Sequence, residues 1–504
     1  MAPRRRSKIS SVFGTRDAAA FVAGLLMPLA FSPFDLFPIA ILAPAVLFWL
    51  WREGSAARAA WRGLLFGVGM FGVGVSWVFV SMHNFGNMPA PLAAFATLLF
   101  VLILSVYPAM LGFLQARFSR RENLRHVVLL LPAAWTLFEW WRGWFLSGFP
   151  WLNLGYSQSD TWLAGYAPVL GVYGVSLAVV LSAGAIVGTV TRPKRFPVLA
   201  AIVLSLWFGG LGLSHIEWVE PDGAPMSVTL VQANVPLYEK WSPLNREKIL
   251  QRYRELSENA PASQLIVWPE GAIPATLHQV DPAYLDDLRN LARRRGSDFL
   301  IGVIERDENR RDYYNSVIAL GTTPGVYRKR HLVPFGEYIP IEPISRWLMG
   351  SLQIPMSRLS PGPGPQLPLT AAGRLIGVSV CYEDAFGEEV VHALPQASLL
   401  VNVSEDAWFG HSLAPHQRLQ MARMRARETA RPMLRAANTG PSAVIDYRGE
   451  VTHRSPQFEQ HVLTAQLQPM RGTTLYVQSG NGSVVTLAFA LLLIAGVAQR
   501  KSKA

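Results

Sequence analysis

Charge is what this 504-residue sequence has least of. Asp, Glu, Lys and Arg make up 16% of it, against about 25% in soluble globular proteins, while 50% of its residues are hydrophobic. Such a chain cannot all face water, which excludes a wholly soluble protein. Cysteine is scarcer still, with Cys381 alone. One thiol excludes an intramolecular disulfide and leaves two readings, a buried inert side chain or a nucleophile. No HExxH pair, zinc-ligand spacing or Gly-rich phosphate loop occurs, and His411 and His416 lack company at metal-ligand spacing. Neither a metal nor an organic cofactor is expected. There is no internal repeat. Acidic residues are outnumbered 34 to 46 by basic ones, a net +12 that taken alone would suit nucleic acid.

What is present answers that last point. Apolar runs of bilayer length fall at about 17–33, 36–51, 63–81, 90–114, 127–146, 163–190 and 196–214, and an eighth at about 482–498. The first two are short and joined by Ser32-Pro33-Phe34-Asp35, as in a hairpin. The first is read as a span and not as a cleaved leader, because no small-residue cleavage site follows it and another span does. Basic residues gather in alternate connections: Arg4, Arg5, Arg6, Lys8 and Arg16; Arg52, Arg58 and Arg62; Arg117, Arg120, Arg121 and Arg125; Arg192, Lys194 and Arg195; Arg500, Lys501 and Lys503. The short loops 32–36, 82–89 and 147–162 hold none. By the positive-inside rule this alternation predicts eight spans with both ends cytoplasmic. It also assigns the basic excess to topology and lipid headgroups, so nucleic acid is not an expected partner. Sixteen Trp and 25 Phe suit bilayer interfaces. Glu139 and Arg142, three apart near the outer end of the fifth span, read as a structural ion pair in preference to a pathway.

Residues 215–480 then lie outside the cytoplasm, between a membrane domain (1–214) and a last span with its tail (481–504). Their texture changes: charges become frequent and apolar runs shorten. Strands are predicted at 227–232, 265–268, 299–304, 316–320, 375–380, 399–403 and 443–446, and helices at 245–259, 283–295 and 417–431. Short buried strands interleaved with amphipathic helices predict an α/β domain with a sandwiched sheet. The segment 360–368 (SPGPGPQLP) reads as a rigid surface connection.

Three local sequences carry candidate chemistry. In Leu265-Ile-Val-Trp-Pro-Glu270 a buried strand ends in a carboxylate. Tyr327-Arg-Lys329-Arg-His-Leu-Val-Pro-Phe-Gly-Glu337 offers a lysine and a glutamate around a turn. Leu375-Ile-Gly-Val-Ser-Val-Cys381-Tyr-Glu383 ends a second strand in the sole cysteine. Strand ends are where loops converge on a common crevice. A thiol needs a base to become a nucleophile, a shielded carboxylate can be that base, and an ammonium can hold an oxyanion. Together they could run acyl transfer through a thioester. The bland readings are a solvated basic run for Arg328–Arg330 and His331, and a structural partner of Lys329 for Glu337.

These motifs resemble the nitrilase superfamily, whose triad is Glu, Lys and Cys in that chain order. Further matches are similar to the bacterial apolipoprotein N-acyltransferases: His331-Leu-Val-Pro-Phe-Gly-Glu337, Asp406-Ala-Trp-Phe-Gly410, Met421-Ala-Arg-Met-Arg-Ala426, Phe149-Pro-Trp-Leu152 and Val231-Gln-Ala-Asn-Val-Pro236. The resemblance covers nearly the whole chain. It implies an α-helical membrane domain of about eight transmembrane helices carrying a nitrilase-like α-β-β-α sandwich, in the bacterial inner membrane with the catalytic domain periplasmic. It implies an acyl chain moved from phospholipid to the N-terminal amine of a diacylglyceryl apolipoprotein, in ping-pong order. Position by position it makes Cys381 the nucleophile, Glu270 the base and Lys329 the oxyanion donor, with Glu337 supporting. Tyr382 and Glu383 match positions needed for activity, and Trp241, Trp408 and Trp151 match aromatic positions near the site. The competing reading for Trp241 and Trp408 is packing, and for Trp151 an interfacial anchor. Ser404-Glu405-Asp406 departs from the family pattern, which has asparagine before the aspartate. The stretch 344–354 (ISRWLMGSLQI) is an amphipathic lid candidate. A monomer is expected, because a membrane anchor obstructs the pairing common among soluble members. The rivals are a membrane-tethered amidase of the same superfamily, which hands the acyl group to water, and a non-catalytic scaffold.

Overall fold

The computed structural model describes residues 14–118, 124–307, 312–340 and 359–501. The lid candidate 344–354 and several basic residues of the topology argument, among them Arg4, Arg120, Arg121 and Lys503, lie outside them.

Before residue 215 the apolar runs fold as helices, since in lipid every backbone group must be satisfied within its own segment. Three are long and apolar enough to cross a bilayer: Ala90–Phe118, Trp162–Thr191 and Pro193–Ser214. A fourth results if Ala56–Gly74 and Trp77–Phe85, bent by 48° at their junction, count as one. The other expected spans are shorter helices, Thr15–Leu26, Pro38–Leu50, Leu131–Arg142 and Gly482–Lys501, the last with its apolar part at Gly482–Gly496. The thirteen residues of Pro38–Leu50 rise only about 20 Å, less than the hydrocarbon core, whereas Leu131–Arg142 continues from a π-helical turn at His126–Leu130. Helices pack closely where side chains are small: a Cβ on Gly63 would lie 2.3 Å from the Pro108 carbonyl oxygen.

The loop 147–162 is the first departure. Read as an external connection, it is buried throughout 151–159, between membrane helices and the α/β domain. Arg142 holds it by donating to the Phe149 and Trp151 carbonyls (3.0 and 2.5 Å) and to Asn153 Oδ1 (2.7 Å). Glu139 Oε1 accepts from the Leu154 amide at 3.0 Å and from Trp135 Nε1 at 2.9 Å. The two charged side chains, buried together and of opposite sign as expected of a structural pair, also hold this loop.

Residues 219–472 form the α/β domain. β1 (Val219–Pro221) pairs with β14 (Met470–Gly472) as a small separate ribbon. One six-stranded sheet holds β2 (Met226–Gln232), β3 (Leu265–Thr276), β4 (Asp298–Arg306), β5 (Tyr313–Leu320), β6 (Gly325–Arg328) and β13 (His461–Leu467), in the order β13-β2-β3-β4-β5-β6. The second holds β7 (Leu369–Ala371), β8 (Arg374–Val380), β9 (Leu399–Ser404), β10 (Met433–Ala437), β11 (Ala443–Ile445) and β12 (Val451–Arg454), in the order β12-β11-β10-β9-β8-β7. At the centre of each, β2-β3-β4 and β8-β9-β10 run parallel. Period-two alternation sends Val228, Leu230, Val267 and Leu300 of one sheet against Val380, Val401, Val403 and Leu434 of the other, a single apolar layer.

The outer faces are covered by helices. Arg246–Glu258 and Pro282–Arg295 lie on the first sheet through Ile249, Leu250, Tyr253, Leu288, Leu291 and Ala292, packed on Ile266, Trp268, Phe299 and Ile301. The Asp281 carboxylate caps the second of these by accepting from Ala283 N at 2.9 Å. Ala414–Thr429 covers the second sheet through Leu419, Ala422 and Ala426, against Leu400, Met433, Ala443 and Ile445. This is the expected α-β-β-α sandwich, with seven predicted strands and three predicted helices at the positions read from the sequence.

Candidate active site

Each of the three candidate residues sits where a strand stops or is interrupted. Cys381 follows β8 directly and opens a short 3-10 turn, Cys381–Ala385, with a backbone φ of +50°. A β-carbon rarely tolerates that left-handed conformation, which turns the side chain sharply off the strand. Lys329 follows β6, and its amide donates to the Asn315 carbonyl at 2.7 Å. Glu270 corrects the sequence reading, because it does not end its strand. β3 continues to Thr276, and the register with β4 slips between Trp268 and Ile273. Pro269 lacks an amide hydrogen and Gly271 has φ +55°, so the ladder opens there and frees Glu270 from regular pairing.

The lysine is enclosed by carboxylates. Lys329 Nζ lies 2.8 Å from Glu337 Oε2 and 4.0 Å from Glu270 Oε1, and its side chain is 1% exposed. Burial works against its charge, but the Glu337 and Glu270 carboxylates outweigh burial and hold the ammonium above the ordinary lysine range. Asn315 spaces the two acids by donating from Nδ2 to Glu270 Oε1 (2.6 Å) and Glu337 Oε1 (3.0 Å). Glu337 also accepts from the Val333 amide at 2.8 Å, which fixes the loop after Lys329. The second oxygen of Glu270 accepts from the Glu405 amide at 2.9 Å. Asn315 was not singled out in the sequence; its signal is one amide side chain inside an apolar strand.

Around Cys381 the surroundings differ. Burial first, then the Glu270 carboxylate, push the thiol up to about 12, against the pull of Arg418 and Lys329. The resting site therefore holds a thiol and needs a base at the moment of attack. Arg418 Nη1 donates to Cys381 Sγ at 3.3 Å and to Ser404 Oγ at 2.6 Å, and Nη2 donates to the Cys381 carbonyl at 2.5 Å and to Asp384 Oδ1 at 2.9 Å. Asp406 lies 3.4 Å from Arg418 Nη1 and binds Arg435 through both oxygens, at 2.9 and 2.7 Å. Asn402 Nδ2 adds a donor to the Cys381 carbonyl at 3.1 Å. Arg418 too was missed from the sequence.

Tyr382 and Glu383 hold the turn. Glu383 accepts from the amides of Val380 (2.7 Å), Arg330 (2.7 Å) and His331 (3.2 Å) and from Tyr327 OH (3.0 Å). One carboxylate thus ties the cysteine turn to the loop that carries Lys329. Burial raises it from 4.5 to about 7, although those backbone bonds oppose the shift. Tyr382 OH donates to the Gly148 carbonyl of the membrane part at 3.1 Å, and its ring packs on Phe386 and His331. Trp151 is fully buried; its Nε1 donates to Gln417 Oε1 at 2.6 Å and its ring stacks near Tyr382, at 6.5 Å between centroids. Trp241 packs with Leu332, Leu359 and Ile304, close to Gly271. The Trp408 carbonyl accepts from Ser81 Oγ at 2.8 Å, which joins that loop to the membrane helices.

The departure at Glu405 has a local counterweight. Its carboxylate pairs with buried Lys240, whose ammonium also donates to the Glu270 carbonyl at 2.8 Å. Asn438 Nδ2 donates to the same carboxylate at 3.0 Å. A second buried ion pair therefore flanks the backbone of Glu270. Glu, Lys and Cys held in this way can carry an acyl group from one acceptor to another, with a thiol as the carrier, a carboxylate to shuttle its proton and an ammonium beside the carbonyl oxygen.

Comparison with known proteins covers both parts of the chain. The family model of the apolipoprotein N-acyltransferase N-terminal domain matches residues 23–185, and that of carbon-nitrogen hydrolase matches residues 227–475. An apolipoprotein N-acyltransferase of Methylococcus capsulatus is 43% identical over 486 residues, 96% of each chain. One of Nitrosomonas europaea is 44% identical over 484 residues, 95% of this chain and 97% of that one. One of Azotobacter vinelandii is 41% identical over 493 residues, 96% and 95%.

Proposed function

The chain belongs to the apolipoprotein N-acyltransferase family, and from that premise we propose that it moves an acyl chain from a membrane phospholipid to the N-terminal amine of a diacylglyceryl apolipoprotein through a Cys381 thioester. The observation that carries the mechanism is the enclosed arrangement of Lys329, Glu270 and Glu337, linked through Glu383 to the strained turn at Cys381. Glu270 takes the proton from Sγ as the sulfur attacks the ester carbonyl. A C–S bond forms and Lys329 holds the tetrahedral oxyanion. Collapse breaks the C–O bond, and the proton on Glu270 passes to the departing lysophospholipid oxygen. In the second half the acceptor amine attacks the thioester carbonyl and gives a proton to Glu270. The C–N bond forms, the C–S bond breaks, and the sulfur is reprotonated.

Glu337 keeps Lys329 charged and aimed. Tyr382 and Glu383 hold the turn, and Trp241, Trp408 and Trp151 belong to the apolar surroundings that receive acyl chains. The membrane part has eight spans in the bacterial inner membrane, both termini are cytoplasmic, and residues 215–480 lie in the periplasm. Three helices long and apolar enough to span, a bent pair that makes a fourth, two shorter apolar helices and the alternation of basic loops support this arrangement. The enzyme acts as a monomer, without nucleic acid.

The test is product identity. Purified protein in phospholipid micelles, given a diacylglyceryl-cysteine peptide, is expected to yield N-acylated peptide and lysophospholipid in equal amounts by mass spectrometry. Free fatty acid with no acylated peptide would overturn the reading in favour of the amidase.

A further inference from the structure

Most of the charged side chains buried around the nucleophile have a structural occupation. Arg435 is spent on both oxygens of Asp406, Arg425 on Glu428, and Lys240 on Glu405. Arg418 is different, because one of its guanidinium nitrogens, 3.3 Å away, faces the reacting sulfur itself. We infer that Arg418 is a catalytic residue, a second cation, besides Lys329, that stabilises the Cys381 thiolate. This rests on the Cys381 thioester reading and deepens it.

The geometry supplies the reason. The fork is planar and rigid: Asp384 and the Cys381 carbonyl fix Nη2 and Ser404 takes one Nη1 hydrogen, which leaves the other Nη1 hydrogen beside the sulfur at 3.3 Å, slightly nearer than Asp406 at 3.4 Å. Burial opposes the charge of Arg418, but Asp384, the sulfur and Asp406 hold the guanidinium above the ordinary arginine range, so it stays a cation throughout. Sulfur carries negative charge only between loss of its proton to Glu270 and formation of the C–S bond, and again when that bond breaks. A donor aimed at the sulfur acts at those moments and becomes a bystander to the neutral thioester. Lys329 acts at another atom, the carbonyl oxygen. The two cations thus divide two charges that appear at different points of the cycle.

The chain has no other cysteine, so the rate of alkylation by iodoacetamide at pH 8, read by intact mass, reports this sulfur alone. Removing the cation makes the thiolate scarcer and slows alkylation. Removing a structural prop opens the site and speeds it. Arg418→Gln is expected to alkylate about tenfold more slowly than wild type, one unit of thiol pKa. Arg418→Lys keeps the charge, but with its single ammonium drawn to Asp384 and Asp406 it is expected to be about threefold slower. If Arg418→Gln does not fold, Arg418→Lys alone decides. Alkylation as fast as wild type or faster in the folded variant overturns the inference and leaves Arg418 a structural residue. The reagent is not a lipid, so this outcome is independent of whether phospholipid acylates Cys381.

Discussion

The two helical layers of the sandwich are built on opposite principles. Arg246–Glu258 and Pro282–Arg295 are ordinary surface helices, with buried positions in one stripe, charged residues outside and exposed pairs such as Arg289–Asp286. Ala414–Thr429 has no such stripe. It is buried on nearly every side, and Gln417, Arg418, Gln420, Arg425 and Glu428 are all covered. Its inner face packs on the second sheet, and its outer face bonds to the membrane part: Gln417 to Trp151 and to the Gly74 carbonyl at the bent junction, Gln420 to Asp35, and Glu428 to the Val172 amide at 2.6 Å. A helix whose outer face is polar and yet buried is stable here because the membrane part supplies that face with partners. It also carries Arg418 to the cysteine, so Cys381 is held by the layer fixed to the membrane domain. The difference teaches that one helical layer only closes the fold, while the other also ties the chemistry to the lipid side.

Substitutions can break or sharpen that contrast. The largest stability effect is expected for Glu428→Ala, which strands buried Arg425 and the Val172 amide: roughly 3–5 kcal/mol in denaturant unfolding. A loss below about 1 kcal/mol would mean that this helix is no junction. Glu383→Gln tests the nucleophile's side through pH. A carboxyl raised from 4.5 to about 7 on folding contributes stability that is fully present below about pH 4.5 and lost as the pH rises through about 7. The wild-type unfolding free energy is therefore expected to fall across that window more steeply than that of the variant. Equal slopes would remove Glu383 from the account. Lys329→Ala is expected to cost on the order of 100-fold in kcat/KM, as loss of an oxyanion donor does, and an effect below about threefold would return it to a structural role. Arg289→Ala, on the outward helix, is expected to change stability by less than about 0.5 kcal/mol and activity not at all.

The sequence made the outward layer and the strands legible because both follow simple periods. Short apolar runs of strand length located β2, β8 and β9, and amphipathic stretches located the two outer helices. The candidate triad was legible because motif order survives without geometry. What escaped depends on partners that local pattern does not encode. β10 was missed because Arg435 sits inside it, and its charge is acceptable only against Asp406. Glu270 reads as a strand end because Pro269 breaks the ladder, although the chain resumes pairing beyond it. The helix over 417–431 was foreseen, but its polar faces read as solvated until the membrane part is there to cover them. Arg418 and Asn315 needed three dimensions. The two shorter apolar helices, Pro38–Leu50 and Gly482–Gly496, show that hydropathy gives the existence of a segment more reliably than its length.

The most direct test of the thioester account is intact-mass spectrometry of the purified protein incubated with phospholipid alone, as wild type and as Cys381→Ala. The account predicts one hydroxylamine-labile acyl adduct on wild type, none on the variant, and its discharge when a diacylglyceryl peptide is added. An equal adduct on Cys381→Ala, or neither adduct nor released lysophospholipid on wild type, would contradict it.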